Sequence, residues 1–170
     1  MRARGRWYEW PFEPLPVLRA LNEHGVEYVL IGGLAAVLQG SPLPTYDIDI
    51  ALSASASNLN RLQAALDHLD AVVLGRVRDL GRAFADGRIV SFSTRFGYID
   101  VISKPAGFDS YTSLRRGARR VALEPRLDVI CSPIRDILRS RMATGDLRQL
   151  PALEVALELT GAIEVRSLLQ

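Results

Sequence analysis

The segment Tyr46-Asp47-Ile48-Asp49-Ile50 constrains this chain more than any other, because it sets carboxylates and aliphatics in strict alternation. Successive side chains of a strand point to opposite faces, so Ile48 and Ile50 enter a core while Asp47 and Asp49 share the other face. The two acids then stand about 7 Å apart along the backbone, close enough to lean together on a hard divalent cation. Without a cation they repel. Taken alone, an Asp-x-Asp is also what a solvated strand end looks like. The same grammar returns at Tyr98-Ile99-Asp100-Val101-Ile102, where Asp100 points away from flanking aliphatics. If its strand lies beside the first, an acidic triad of Asp47, Asp49 and Asp100 is assembled. Three acids at the ends of buried strands need compensation, and two Mg²⁺ ions are the usual remedy where phosphate chemistry is involved.

Upstream, Ile31-Gly32-Gly33-Leu34 closes one strand and opens a helix. Glycines at such a junction let backbone N–H groups approach an anion, and the positive end of the helix dipole assists. An ordinary tight turn reads the same way, since this is neither G-x-G-x-x-G nor a Walker A sequence. No G-x-S-x-G elbow or H-E-x-x-H is present either. Together, the glycines and the acids describe a triphosphate presented to a two-metal carboxylate cluster, the arrangement of phosphoryl or nucleotidyl transfer.

The rest of the chain sets the frame for that site. Its 170 residues are 48% apolar and 24% charged, which suits one packed domain and excludes a disordered or disulfide-built chain. No apolar run approaches the roughly 20 residues of a membrane span. The Arg-rich start, Arg2, Arg4 and Arg6, runs into Trp7, Tyr8 and Trp10 with no apolar segment behind it, so it does not read as a secretory signal and a cytoplasmic protein is expected. Cys131 is the only cysteine and sits among aliphatics, which predicts a buried, inert thiol. His24 and His68 lack metal-ligand spacing and are expected at the surface. Net charge is only +2, yet Lys104 is the lone lysine among 21 basic residues. Arginine suits phosphate, and Arg115, Arg116, Arg119 and Arg120 with the N-terminal arginines and tryptophans would suit an RNA acceptor, although such charges are more often solvated surface and such tryptophans more often anchor an arm.

Hydrophobic periodicity places a helix over 14–24, ended by Gly25, a buried strand over 26–31, a helical turn over 35–39 and a strand over 47–52. An amphipathic helix follows over 58–69, then a hairpin of strands 89–96 and 98–103 with Gly97 between them. Strands are expected at 120–124 and 127–130. Ser132 reads as an N-cap with Pro133 at the first helical position and Asp136 complementing the dipole, and a last helix covers 147–160. The expected fold is α/β (α+β), a short mixed sheet flanked by helices with a C-terminal helical segment. A single domain over 14–170 carries a short arm over 1–13.

The residues Ile31-Gly32-Gly33-Leu34-Ala35, Gly40-Ser41-Pro42, Thr45 and Asp47-Ile48-Asp49-Ile50, with Asp100 later, resemble the DNA polymerase β-like nucleotidyltransferase superfamily, most closely its small AbiE-type (MenT-like) toxins. The likeness continues through Thr94-Arg95-Phe96-Gly97-Tyr98, Lys104-Pro105-Ala106-Gly107, Tyr111 with Leu114, and Asp136-Ile137-Leu138-Arg139-Ser140-Arg141. The resemblance implies a minimal nucleotidyltransferase fold and an enzyme that moves an NMP from an NTP to a hydroxyl, the tRNA 3′ end in this branch, with a cognate antitoxin as a further partner. It implies that Gly32 and Gly33 hold phosphates together with Thr45, that Asp47 and Asp49 bind Mg²⁺, and that Asp100 completes the metal site and accepts the proton of the attacking hydroxyl. Relatives often carry Arg where this chain has Leu43, and Lys near Arg141; Arg141 and Arg148 are the cations left to meet the triphosphate. The alternatives are a small-molecule or protein acceptor, or a degenerate module that only binds nucleotide or a partner.

Overall fold

The computed structural model describes residues 12–168, with side chains to 161. Most of the arm expected over 1–13, with its arginines and tryptophans, lies outside the described residues. Within them, Glu13 donates its N–H to the Phe96 carbonyl, and Phe12 packs against the core. Helix α1 (Pro14–Glu23) begins on proline and stops where Gly25 takes a left-handed φ of 66°. Strand β1 (Tyr28–Ile31) runs directly into α2 (Gly32–Val37), so the helix starts on the glycine pair itself, three residues before the sequence expectation. The chain continues through β2 (Asp47–Leu52), α3 (Ala56–His68), β3 (Val72–Val73), α4 (Leu80–Ala85), β4 (Val90–Thr94) and β5 (Gly97–Ile102). It ends with α5 (Tyr111–Gly117), β6 (Arg119–Glu124), β7 (Leu127–Cys131), α6 (Ile134–Thr144) and α7 (Leu150–Leu168).

These strands form one seven-stranded mixed sheet in the order β3-β4-β5-β2-β1-β7-β6. The β2–β5 and β1–β7 pairs are parallel and the others antiparallel. One face is apolar throughout: Leu30, Ile48, Ile50, Leu52, Ile99 and Val101 are buried with residues of α1, α2 and α3 in the main core. The opposite face carries Asp47, Asp49 and Asp100, and α5 covers its aliphatic part, where Leu114 closes over Val29 and Ala51. Alternation in the sequence thus becomes a sheet with one packed face and one face left partly open.

Several expectations need correction. Gly97 is the first residue of β5, not the turn; Arg95 and Phe96 make the turn, held by the Thr94 hydroxyl, which accepts from Phe96 N–H and donates to the Gly97 carbonyl. Ser132 caps nothing. The N-cap is Pro133, and α6 starts at Ile134 with Asp136 in its first turn. The last helix begins at Leu150 rather than 147. The short elements β3, α4 and α5 carry too few residues to show a period; α4 is set by the Asp79 cap and α5 by a capping box between Ser110 and Ser113.

Asn58 ties α3 to the sheet. It is fully buried, accepts from Glu27 N–H at 2.7 Å, and donates to the carbonyls of Glu27 and Ser53 at 2.9 and 2.8 Å. Replacing it leaves the Glu27 N–H and the Ser53 carbonyl without this partner in a part-buried junction, while the Glu27 carbonyl keeps the Ser53 N–H. Asn58→Ala is expected to lower the unfolding free energy in a denaturant titration by about 3 kcal/mol; a loss well under about 1 kcal/mol would show that those groups find other partners.

Candidate active site

Parallel pairing in register sets Asp49 beside Asp100 and Asp47 beside Tyr98. Because Asp47 precedes Asp49 by two residues on the same face, the three carboxylates converge, each offering an oxygen so that all lie within 4.8 Å of one another. The neighbouring strands shape this cluster. The Thr45 hydroxyl donates to Asp47 Oδ1 at 2.7 Å, and the Ser91 side chain, opposite Asp100 on β4, hydrogen-bonds to the Asp100 carboxylate. Gly33 N–H bonds to Asp49. A Cβ on Gly32 would sit 1.9 Å from Asp49 Oδ2, and one on Gly33 would sit 2.5 Å from Thr45 Oγ1. Gly32 also has a left-handed φ of 64°. Close approach of Asp49 to Gly32 and of Thr45 to Gly33 therefore calls for glycine at both positions, a reason the sequence reading, which looked to a phosphate, did not contain.

Electrostatics make the cluster costly without a counter-ion. Burial, then the neighbouring carboxylates Asp47 and Asp100, push Asp49 up to about 7, against the opposing pull of Arg141 and the Gly33 amide. Asp100 is also raised, first by burial and then by Asp47, with the Ser91 hydrogen bond acting the other way. Three converging carboxylate oxygens, two of them on groups whose proton affinity burial raises, form a donor set suited to a hard cation such as Mg²⁺.

The triad opens into a cleft of about 440 Å³ that Gly32 and Arg141 also line. Thr45 and Gly33 stand behind the carboxylates and do not line it. Arg141 is a quarter exposed and shares Asp146 with Arg148, at 3.0 and 2.9 Å. Arg148 is 88% exposed and outside the cleft. Of the two arginines expected to meet a triphosphate, the fold brings only Arg141 to the acids. Among residues the sequence reading missed, Ser91 was detectable as the polar position opposite Asp100, whereas Ser132 on the cleft wall was read as a cap. Lys104 lines the cleft while donating to the Ala85 carbonyl. Cys131 is buried, with its thiol pushed up to about 12 by desolvation. His24 and His68, remote in sequence, meet edge to face with ring nitrogens 3.3 Å apart. The arginines of the 115–120 cluster are exposed, and Arg120 pairs with Asp128.

No protein-family model matches the sequence, and neither does any curated protein. Among solved structures, a Thermotoga maritima protein assigned as a nucleotidyltransferase is similar over 89% of this chain and 98% of its own, at 16% identity and a TM-score of 0.55. The antibiotic-resistance factor ANT(2″)-Ia is similar in its solution structure over 90% of each chain, at 18% identity and a TM-score of 0.48. Its crystal structure with adenylyl-2″-tobramycin aligns over 88% of this chain and 95% of that one, at 15% identity and a TM-score of 0.47. The chain has the mixed α/β fold of a nucleotidyltransferase. No helix among the described residues is long and apolar enough to cross a membrane.

Two outcomes follow from this geometry. Gly32→Ala places a methyl group inside the Asp49 carboxylate, so the triad cannot keep its arrangement; divalent-cation binding by calorimetry is expected to fall at least about tenfold, and binding equal to the parent would show that the site tolerates the shift. Asp49 holds its proton more tightly folded than unfolded, so folding takes up a proton between roughly pH 4 and 7. That contribution is present below about pH 4 and is lost as pH rises through about 7. In the absence of divalent cations Asp49→Asn removes the loss, and at about pH 8 the variant should be more stable by ~2–4 kcal/mol, converging with the parent near pH 4. Parallel stability curves for the two proteins would rule out the burial of a charge at Asp49.

Proposed function

We propose that the protein is a Mg²⁺-dependent nucleotidyltransferase that moves an NMP from an NTP to a hydroxyl acceptor and releases pyrophosphate. The observation that carries this reading is the convergence of Asp47, Asp49 and Asp100 within 4.8 Å, beside Gly32 and Gly33. Asp47, Asp49 and Asp100 would hold two Mg²⁺ ions. When bound, such ions stabilise charge on the α-phosphate and on the departing pyrophosphate. The chain's own residues do the rest. The backbone at Gly32 receives the phosphates, and Arg141, facing the same cleft, balances their charge. Asp100, with its raised proton affinity, takes the proton of the acceptor hydroxyl as that oxygen forms a bond to the α-phosphorus and the bond to the β-phosphate oxygen breaks.

The acceptor in this reading is the tRNA 3′ end, and the cellular role is that of a toxin held in check by a cognate antitoxin. This part rests on the sequence likeness to AbiE-type proteins from the glycine pair to Arg141. Incubation with each labelled NTP, Mg²⁺ and total tRNA is expected to label tRNA, and Asp49→Ala should reduce the label by at least about 10³-fold. Periodate-treated tRNA, which lacks the terminal hydroxyls, should accept nothing. Equal labelling by the Asp49 variant would remove the metal role, and label appearing on an aminoglycoside or a protein instead of tRNA would replace the acceptor.

A further inference from the structure

We infer that the hydroxyl of Ser132 is a phosphate ligand, donating to a non-bridging oxygen of the terminal phosphates of the bound triphosphate; this rests on the nucleotide reading above. Ser132 is 1% exposed. Its backbone is held on both sides: its N–H donates to the Leu30 carbonyl at 2.9 Å, and its carbonyl accepts from Gln39 Nε2 at 2.8 Å. Its Oγ, by contrast, has no hydrogen-bond partner among the described residues. A buried hydroxyl left in this state is unfavourable unless something absent from the chain itself completes it.

Its place in the sheet says what that is. Leu30 pairs with Cys131, Ile31 with Asp49, and Asp49 with Asp100. Leu30 and Cys131 both face the main core, so the residue after each, Ile31 at the end of β1 and Ser132 one past the end of β7, where its N–H still bonds to the Leu30 carbonyl, turns to the acid face. Asp100, Asp49 and Ile31 thus form one row across β5, β2 and β1 that Ser132 continues just past the end of β7, about 10 Å from Asp49, two inter-strand spacings away. Ser132 lines the same cleft as the triad, Gly32 and Arg141. A triphosphate whose α-phosphate lies at the acids and whose chain passes Gly32 reaches this hydroxyl with its far end.

The helix that follows adds to the site. α6 spans 11 residues, and its opening N–H groups point back toward Ser132 with the positive end of the helix dipole. Asp136, the acid in that first turn, has its Oδ2 within 2.8 Å of where a Cβ on Gly117 would lie. Gly117 leads into β6, on the far side of β7 from Gly32. Asp136 lines the same cleft as Ser132, and its carboxylate is the charge in this turn that opposes an anion. A capping role does not account for the hydroxyl, because Pro133 is the N-cap and no side chain bonds to the first-turn amides.

The test is calorimetric binding, with Mg²⁺, of the NTP the parent protein takes best and of the matching NMP, on the full chain and on Ser132→Ala. The variant should bind NTP about tenfold more weakly and NMP as before. Its melting temperature without ligand should be unchanged or higher, since an unpaired hydroxyl is removed. Ser132→Cys, which keeps the volume, gives the same readout should the alanine variant fail to fold. NTP and NMP affinities that fall together, an unchanged NTP affinity, or a lowered melting temperature with the NTP-to-NMP ratio intact would each overturn the assignment while leaving the nucleotide reading in place. A parent protein that binds no NTP would overturn both.

Discussion

The structure turns on the parallel, in-register pairing of β2 with β5, which sets Asp49 directly beside Asp100. Like charges on neighbouring strands are unfavourable, and part-burial amplifies the cost. Much of the surrounding chain is arranged around that repulsion. Thr45 and Ser91 each hydrogen-bond to a carboxylate, the Gly33 amide supports a third, and Arg141 supplies a positive field from across the cleft. Glycine at 32 and 33 lets the backbone come close enough for this to happen. These contacts reduce the cost without cancelling it, as the upward shift of Asp49 shows.

The second constraint is how the acid face of the sheet is covered. On the main-core face, helices pack against an unbroken aliphatic layer from Leu30 to Val101. On the acid face, among the described residues, the short α5 and Phe108 before it close down over the aliphatic patch of Val29, Ile31, Ala51 and Ile130. The remaining strip becomes the floor of a cleft, with α6 as one wall. Gln39 helps to fix that wall by donating to both the Ala35 and Ser132 carbonyls, which joins α2 to the start of α6. The two helices that follow the parallel strands β1 and β7 thus begin side by side at the carboxyl ends of those strands, the position at which open α/β sheets present ligands.

Cation placement is decided in the same way. Arg141 and Arg148 are equivalent as sequence, both basic and both near the end of α6. The left-handed Gly145 turns the chain so that Asp146 bonds to both guanidinium groups. Arg141 is left part-buried on the cleft side, and Arg148 is left in solvent. The pairing orients Arg141, but it also means that an incoming phosphate competes with Asp146 for that guanidinium.

What the sequence by itself determined was whatever depends on the period of the strand and the identity of short local signals. The bounds of the Asp47–Leu52 strand, the separation of its acids from its aliphatics, the matching pattern around Asp100, the start of the first helix at Pro14 and its stop near Gly25 all follow from interactions a few residues long. Elements too short to repeat a pattern, β3, α4 and α5, could not be read, since caps and tertiary contacts rather than periodicity hold them. The tertiary structure alone decided which strands became neighbours. It therefore decided that three acids meet, that glycines 32 and 33 are needed against side chains more than ten residues away, that His24 finds His68, and that Ser132 is an unpaired hydroxyl on a cleft wall rather than a helix cap. Each of these depends on strand order and register, which arise from the packing of the whole sheet and leave no mark on any single segment.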